Sequence, residues 1–306
     1  MSTPSVVLAT GATVRHRRVR FGTLFGVTYL VVLVAGAVLG DALWFVPSYS
    51  EKVVVNGEIA NRYALGPSRQ ALFGTDQLGY DVLSKCLYGA RTTLLVGIGA
   101  TAIGLVGGGL IGIVAGYRRG ATDRVVGVVT DCLLSLPAIV LAIVMISKLD
   151  VVEADQSWLA WVDRRWQLVF TLGLLSIAPF ARIVRAQTLT LREREFVLAA
   201  RSLGAPTTRV LAREILPNLV PTMLTVAFTG LGILVAAEGA LAFLGLSAES
   251  PTPTWGKLIE ENRDQMDVGW WATIFPCLLL FLTVLSFNVI GDAISRRLDI
   301  RRAAIA

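Results

Sequence analysis

Two acids stand inside otherwise apolar runs, Asp131 and Glu238, and they are the residues best placed to do chemistry. A charge at the centre of a bilayer costs about 2.5–3.5 kcal/mol on insertion scales, so it needs a partner, a cavity or a helix contact. Cation or proton handling is the chemistry such acids offer, although two isolated carboxylates make a poor relay. The preferred reading sets Glu238 at a water-filled cavity or an interhelical contact. Asp131 then pairs with a basic residue near the inner interface. Other chemistries are missing from the sequence. The single histidine, His16, lies in a basic N-terminal stretch, which rules out an HExxH zinc site or a Ser-His-Asp triad. No G-x-x-x-x-G-K-[ST] occurs, since Gly256-Lys257 lacks the preceding glycine, so ATP binding and hydrolysis by this chain are not expected. Cys86, Cys132 and Cys277 are far apart and form neither a disulfide framework nor a metal spacing.

The elements that must position these residues are membrane helices. Of 306 residues, 54% are hydrophobic and only 16% charged, with a mean hydropathy of +0.66. A soluble protein carries about 25% charged residues. The apolar residues gather in blocks near the ~20 residues that span hydrocarbon, at about 21–46, 92–117, 125–148, 167–189, 219–246 and 270–294. The expected fold is all-α, a polytopic membrane protein of six transmembrane helices. The first apolar run far exceeds a signal-peptide core and reads as a retained anchor. With the N-terminus inside, the inner segments 1–20, 117–124, 182–218 and 295–306 hold 18 of the 28 Lys and Arg residues. The positive-inside rule therefore puts both termini in the cytoplasm. The net charge of +6 follows from the same rule, which leaves nucleic acid little weight as a partner. This divides the chain into a basic tail (1–20), an anchor helix (21–46) and an extracytoplasmic segment (47–91). A five-helix core (92–294) and a C-terminal tail (295–306) follow. Within 47–91, Val82, Leu83, Cys86, Leu87 and Ala90 fall at helical spacing, predicting an amphipathic helix on the outer surface that leads into the second span.

Between the fourth and fifth spans lies a loop, 190–217, that reads as helix, stop, helix. Phe196, Ala199, Ala200 and Leu203 share one helical face. Gly204 suits the left-handed position after a helix, and Pro206 prevents continuation. Thr207 or Thr208 is expected to cap a second helix ending before Pro217. Seven arginines and no lysine lie in 182–214. Arginine's planar fork suits carboxylates at an interface, while anionic lipid head groups are the simpler explanation for such a cluster. Arg182 and Arg185 are assigned mainly to lipid and topology, and Arg194, Arg201 and Arg209 to partner contact. Pro137 and Pro179 are expected to kink the third and fourth spans. Gly104, Gly108, Gly112 and Gly116 repeat every fourth residue, the spacing of close helix packing.

The wording of these segments resembles the C-type permease subunit of bacterial dipeptide/oligopeptide ABC importers. The resemblance runs in order through FGTDQLGYDVL, GYRRGATDRVV, DCLLSLP, FVLAARSLGAP, EILPN, EGALAFLGL, PTPTWG and FNVIGDAISRRLDIR, covering about residues 73–302. Leu198 stands where the family's coupling loop has Glu, and Glu214 where it has Ile. The resemblance implies a type I importer permease fold in the bacterial cytoplasmic (inner) membrane. It also implies a second homologous permease subunit, two cytoplasmic ATPase subunits that carry ATP and Mg, and an extracytoplasmic substrate-binding protein. Arg194, Glu195, Phe196, Ala199, Ala200, Arg201, Leu203, Gly204 and Arg209 would couple to the ATPases. Phe196 and Leu203 would enter the ATPase groove. Asp131, Pro137, Glu238 and Asn288 are candidates for the path or its conformational change. Relatives of this kind carry dipeptides, longer peptides, glutathione, nickel complexes or other solutes, so the resemblance leaves the cargo open. A secondary transporter or a non-transporting scaffold are the alternatives from other classes.

Overall fold

In hydrocarbon the backbone has no water to bond, so each long apolar run satisfies its own amides as a helix. The computed structural model describes residues 15–40, 48–55, 58–59, 65–155, 163–247 and 252–303. The expected end of the first span (41–46), most of the basic N-terminal tail (1–14) and Glu249 lie outside them. Ten α-helices are described: α1 (Arg15–Leu39), α2 (Val82–Arg118), α3 (Gly120–Ser135), α4 (Ala138–Asp155), α5 (Arg164–Arg192), α6 (Glu195–Ser202), α7 (Thr207–Arg209), α8 (Leu216–Phe243), α9 (Trp255–Asn262) and α10 (Met266–Ala303). A two-residue ribbon, β1 (Val54–Val55) with β2 (Glu58–Ile59), is the only sheet among the described residues.

Five helical stretches are long and apolar enough to cross a membrane, or six if one bent pair counts as a span. That pair stands where a third span kinked at Pro137 is expected. Helices α3 and α4 meet at 88°, with Leu136 extended and Pro137 between them. Proline disfavours the helical conformation at the residue before it and cannot donate its own amide, so the span breaks here instead of kinking. Pro179, by contrast, lies inside a continuous α5.

The centre of the fold is the α2–α5 pair. The glycine repeat of α2 faces α5 so closely that a Cβ at Gly108 would lie 2.6 Å from the Ile177 carbonyl oxygen, and one at Gly112 would lie 2.7 Å from that of Ala181. Only a residue without a side chain permits this approach. Helix α2 is about 55 Å long at 1.5 Å per residue, because the expected outer-surface helix is simply its first turns. Asp81 caps it, accepting from the Ser84 amide at 2.7 Å. Val82, Cys86 and Ala90 are buried against Trp255, Leu258 and α10 instead of lying on a surface. Trp255 Nε1 donates to the Cys86 carbonyl at 2.9 Å, pinning α9 to α2. The FGTD segment forms a knot beside it. Asp76 accepts from the Leu78 and Tyr80 amides at 2.9 Å and pairs with Lys85 at 2.6 Å. Helix α1 is attached at the edge, where the Tyr29 hydroxyl donates to the Leu279 carbonyl at 2.8 Å.

Candidate functional site

Helix α6 follows α5 after a two-residue turn. It ends where Gly204 takes φ +80°, a conformation that strains any residue with a Cβ. The Gly204 amide donates to the Arg201 carbonyl at 2.9 Å and the Ala205 amide to the Ala200 carbonyl at 3.1 Å, closing the helix end. The second arm departs from expectation. Pro206, not a threonine, stands at the start of α7, and no side chain caps it. The arm does not end before Pro217 either. A π-helical turn, Val210–Ile215, leads directly into α8, with Pro217 in the first turn of that helix. Proline is tolerated in the first turn of a helix, and the π turn before it carries the chain on, with the Leu216 amide donating to the Leu211 carbonyl.

The face of the hairpin is divided cleanly. Val197 is fully buried with Val184, Val210, Ile215 and Leu219, a core that fixes α6 to α5 and α8. Phe196 is 38% exposed and Leu203 89% exposed. Arg194, Glu195, Ala199, Gly204 and Arg209 are also exposed. The arrangement offers an apolar edge framed by charge on a rigid backing. Two of the nine expected coupling residues turn inward. Ala200 packs against the core beneath α6, and the Arg201 guanidinium lies 4.7 Å from the centre of the Tyr117 ring. Sequence reasoning missed Tyr117 and Val197. Nothing in the spacing marks either, since Val197 follows a helix break and lies off the period of Val184 and Leu191.

The four path candidates do not converge. Asp131 lies 3.9 Å from Arg182, with both side chains about two-thirds exposed (66% and 63%), a pair that contributes little in solvent. Arg182 thus has a carboxylate neighbour besides lipid and topology. The same holds more firmly for Arg185, whose Nε donates to Asp123. Pro137 occupies the α3–α4 break. Asn288 is half-buried on α10, its Nδ2 donating to Val284 and lying beside Gly232 of α8. Glu238 is 1% exposed and sits at an interhelical contact. The Thr93 hydroxyl donates to its Oε2 at 3.2 Å, with Thr254 and Ser247 beside the carboxylate. Thr93 in turn accepts from the Trp255 amide at 3.3 Å. This carboxylate therefore ties α8 to α2 and α9 through hydroxyls.

Beside the broken span, α4, α5 and α8 line an open apolar cavity of about 410 Å³. Its wall includes Ile139, Pro179, Phe180, Gly230 and Ile233, and the hydroxyls of Ser176, Thr225 and Thr229 beside it donate to backbone carbonyls. Among the described residues no group of three or more metal-ligating side chains occurs.

Residues 108–302 match the family described as the binding-protein-dependent transport system inner membrane component. The glutathione transport system permease protein GsiD of Shigella dysenteriae serotype 1 is 35% identical over 271 residues, covering 89% of this chain and 84% of that protein. The dipeptide transport system permease protein DppC of Alkalihalophilus pseudofirmus is 33% identical over 234 residues, covering 76% of this chain and 73% of its own. Among solved structures, the inward-facing MetNI methionine ABC transporter includes a chain with TM-score 0.55 and 21% identity. The superposition covers 69% of this chain and 94% of that one, a likeness of fold.

Proposed function

This chain belongs to the binding-protein-dependent transport system inner membrane component family, and from that premise we propose that it forms half of an ATP-driven importer's path for small peptides. Glutathione and dipeptides, the cargoes in its relatives' names, are the class intended. ATP and Mg²⁺ act on two partner ATPase chains, a second permease completes the path, and a substrate-binding protein delivers cargo from outside. The chain sits in the bacterial inner membrane with both termini cytoplasmic, an orientation that its Lys and Arg distribution supports.

One observation carries this reading: an exposed apolar edge, Phe196 and Leu203, on a hairpin whose other face is locked into the bundle by Val197. An edge of that kind suits a docking partner, and its rigid backing suits the transfer of motion. Ala199 and Gly204 keep the edge low enough for close backbone approach. Arg194, Glu195 and Arg209 supply charge around it. As the ATPases close, α6 moves with them and the permease pair exchanges inward- for outward-facing states. The apolar cavity beside the α3–α4 break supplies this chain's wall of the path. Pro137 lets α3 and α4 rearrange about their bend, while Glu238 and Asn288 hold α8 to its neighbours.

The test is uptake into proteoliposomes containing this chain, its partner permease and both ATPases, with binding protein and labelled alanyl-alanine or glutathione outside. Uptake that requires ATP inside supports the reading. Uptake driven by an ion gradient without the ATPases contradicts it.

A further inference from the structure

Tyr117 is the last aromatic residue of α2, and two arginines from other elements converge on it. Arg201 of α6 stacks with its guanidinium carbon 4.7 Å from the ring centre. Arg192, at the end of α5, lies 5.7 Å from the same ring, and its Nη1 donates to the Tyr117 carbonyl at 2.5 Å. The Nε of Arg201 is buried and has no hydrogen-bond partner among the described residues. The ring of Tyr117 is therefore the contact that stabilises this half-buried charge. A cation–π contact strengthens when water is excluded from it.

The surroundings give this contact leverage. Tyr117 also packs on the core that holds Val197. One residue beyond, Arg118 ends α2, and Arg119 bends the chain with φ 57° into α3. Arg119 pairs with Glu193, at the turn between α5 and α6. Behind the ring, the glycine repeat clamps α2 to α5 down to Gly116, where a Cβ would meet the Arg185 carbonyl oxygen at 2.8 Å. Arg185 then reaches across to Asp123 of α3. A displacement of α6 thus meets the packed α2–α5 pair through the Tyr117 ring as well as through the Val197 core.

We propose that Tyr117 is a positioning residue, a point at which displacement of α6 passes to the α2–α5 pair and the broken span α3–α4. The inference rests on the importer reading, since it supposes that ATPases move α6. The aromatic face is the acting part; the hydroxyl is dispensable. Arg201 accordingly serves inside the chain, as the hairpin's grip on the core.

The experiment follows access to the cavity, so that no cargo need be known. The complete transporter with its binding protein is placed in proteoliposomes, with Cys132 and Cys277 replaced by serine and Ile233→Cys introduced on the cavity wall. Labelling by a membrane-impermeant maleimide is compared with and without ATP and vanadate, alongside ATP hydrolysis and retention of the ATPases. Wild type and Tyr117→Phe should show the same nucleotide-driven change in labelling. Tyr117→Leu should keep its ATPases and hydrolyse ATP, while the nucleotide-driven change falls about tenfold, the scale of a partly desolvated cation–π contact. Arg201→Met, which keeps the stem and removes the charge, should lose the same response.

A wild-type response persisting in Tyr117→Leu would overturn the proposal. So would loss of the response in Tyr117→Phe, which would assign the effect to the hydroxyl. Loss of the ATPases from Tyr117→Leu would also overturn it, by making the ring part of docking. A wild-type complex indifferent to ATP would instead bring down the importer reading itself.

Discussion

Replacing Gly108 by alanine should destabilise the chain, whereas the same change one residue earlier should not. At Gly108 the added Cβ would lie 2.6 Å from the Ile177 carbonyl oxygen and 2.8 Å from the Ala181 amide nitrogen, both backbone atoms. Ordinary contact begins near 3.4 Å, so α2 and α5 must part by about 0.8 Å. A gap of that size forfeits about a quarter to a half of each dispersion contact it opens, and overpacking of this kind costs about 1–3 kcal/mol. Against this, alanine in a helix gains about 1 kcal/mol over glycine. The balance is a net loss of up to about 2 kcal/mol, shared along the interface because Gly112 meets the same α5 backbone. At Gly107 the nearest atom is Ile177 Cδ1 at 3.0 Å, the end of a flexible side chain. There the propensity gain should dominate, leaving stability unchanged or slightly raised. Thermal unfolding in detergent, with Cys132 and Cys277 replaced by serine so that a thiol-reactive dye reports the buried Cys86, separates the two. Equal midpoints for Gly108→Ala and Gly107→Ala would refute the claim that backbone contact, and not glycine content, holds this pair together.

Glu238→Gln keeps the size and acceptor of a carboxylate that is buried among hydroxyls, so it should leave the thermal midpoint unchanged or raise it. Glu238→Leu strips Thr93 of its acceptor and should cost about 1–3 kcal/mol in the same assay. Gly204→Val has open space around its Cβ but a φ of +80°. It should strain the hairpin by about 1–2 kcal/mol and speed its proteolysis, while Gly204→Asn should be milder. Asp81→Ala removes the cap at the head of α2 and should lower stability by about 1 kcal/mol, with Asp81→Asn restoring most of it.

The sequence made the long helices legible because hydrocarbon allows the backbone few alternatives. Gly204 was equally readable, since a left-handed residue followed by Ala205-Pro206 is a local constraint. Pro137 marked the right place but not the right magnitude. Whether a proline kinks or breaks a span depends on its neighbours' packing, and here α4 turns 88° to lie against α5 and α8. Pro217 misled in the opposite direction, because it falls in the first turn of α8, where proline is tolerated. The side chains that complete the sites were invisible for a common reason. Thr93 reaches Glu238 across 145 positions, Ser247 and Thr254 come from the connection between α8 and α9, and Tyr117 meets Arg201 across 84 positions. No periodicity records such meetings. Arg201 shows the consequence: an arginine on a surface loop looks free for a partner until the ring beneath it is seen.

The most direct measurement is co-purification of this chain from its native membrane, comparing wild type with Leu203→Asp by mass spectrometry. Leu203 is 89% exposed, so the substitution leaves the bundle intact while placing a charge on the hairpin's apolar edge. Wild type should bring down a second permease and the ATPases. The variant should keep the second permease and its gel-filtration profile but lose the ATPases. ATPases retained undiminished on Leu203→Asp would contradict the account of the hairpin as their docking edge.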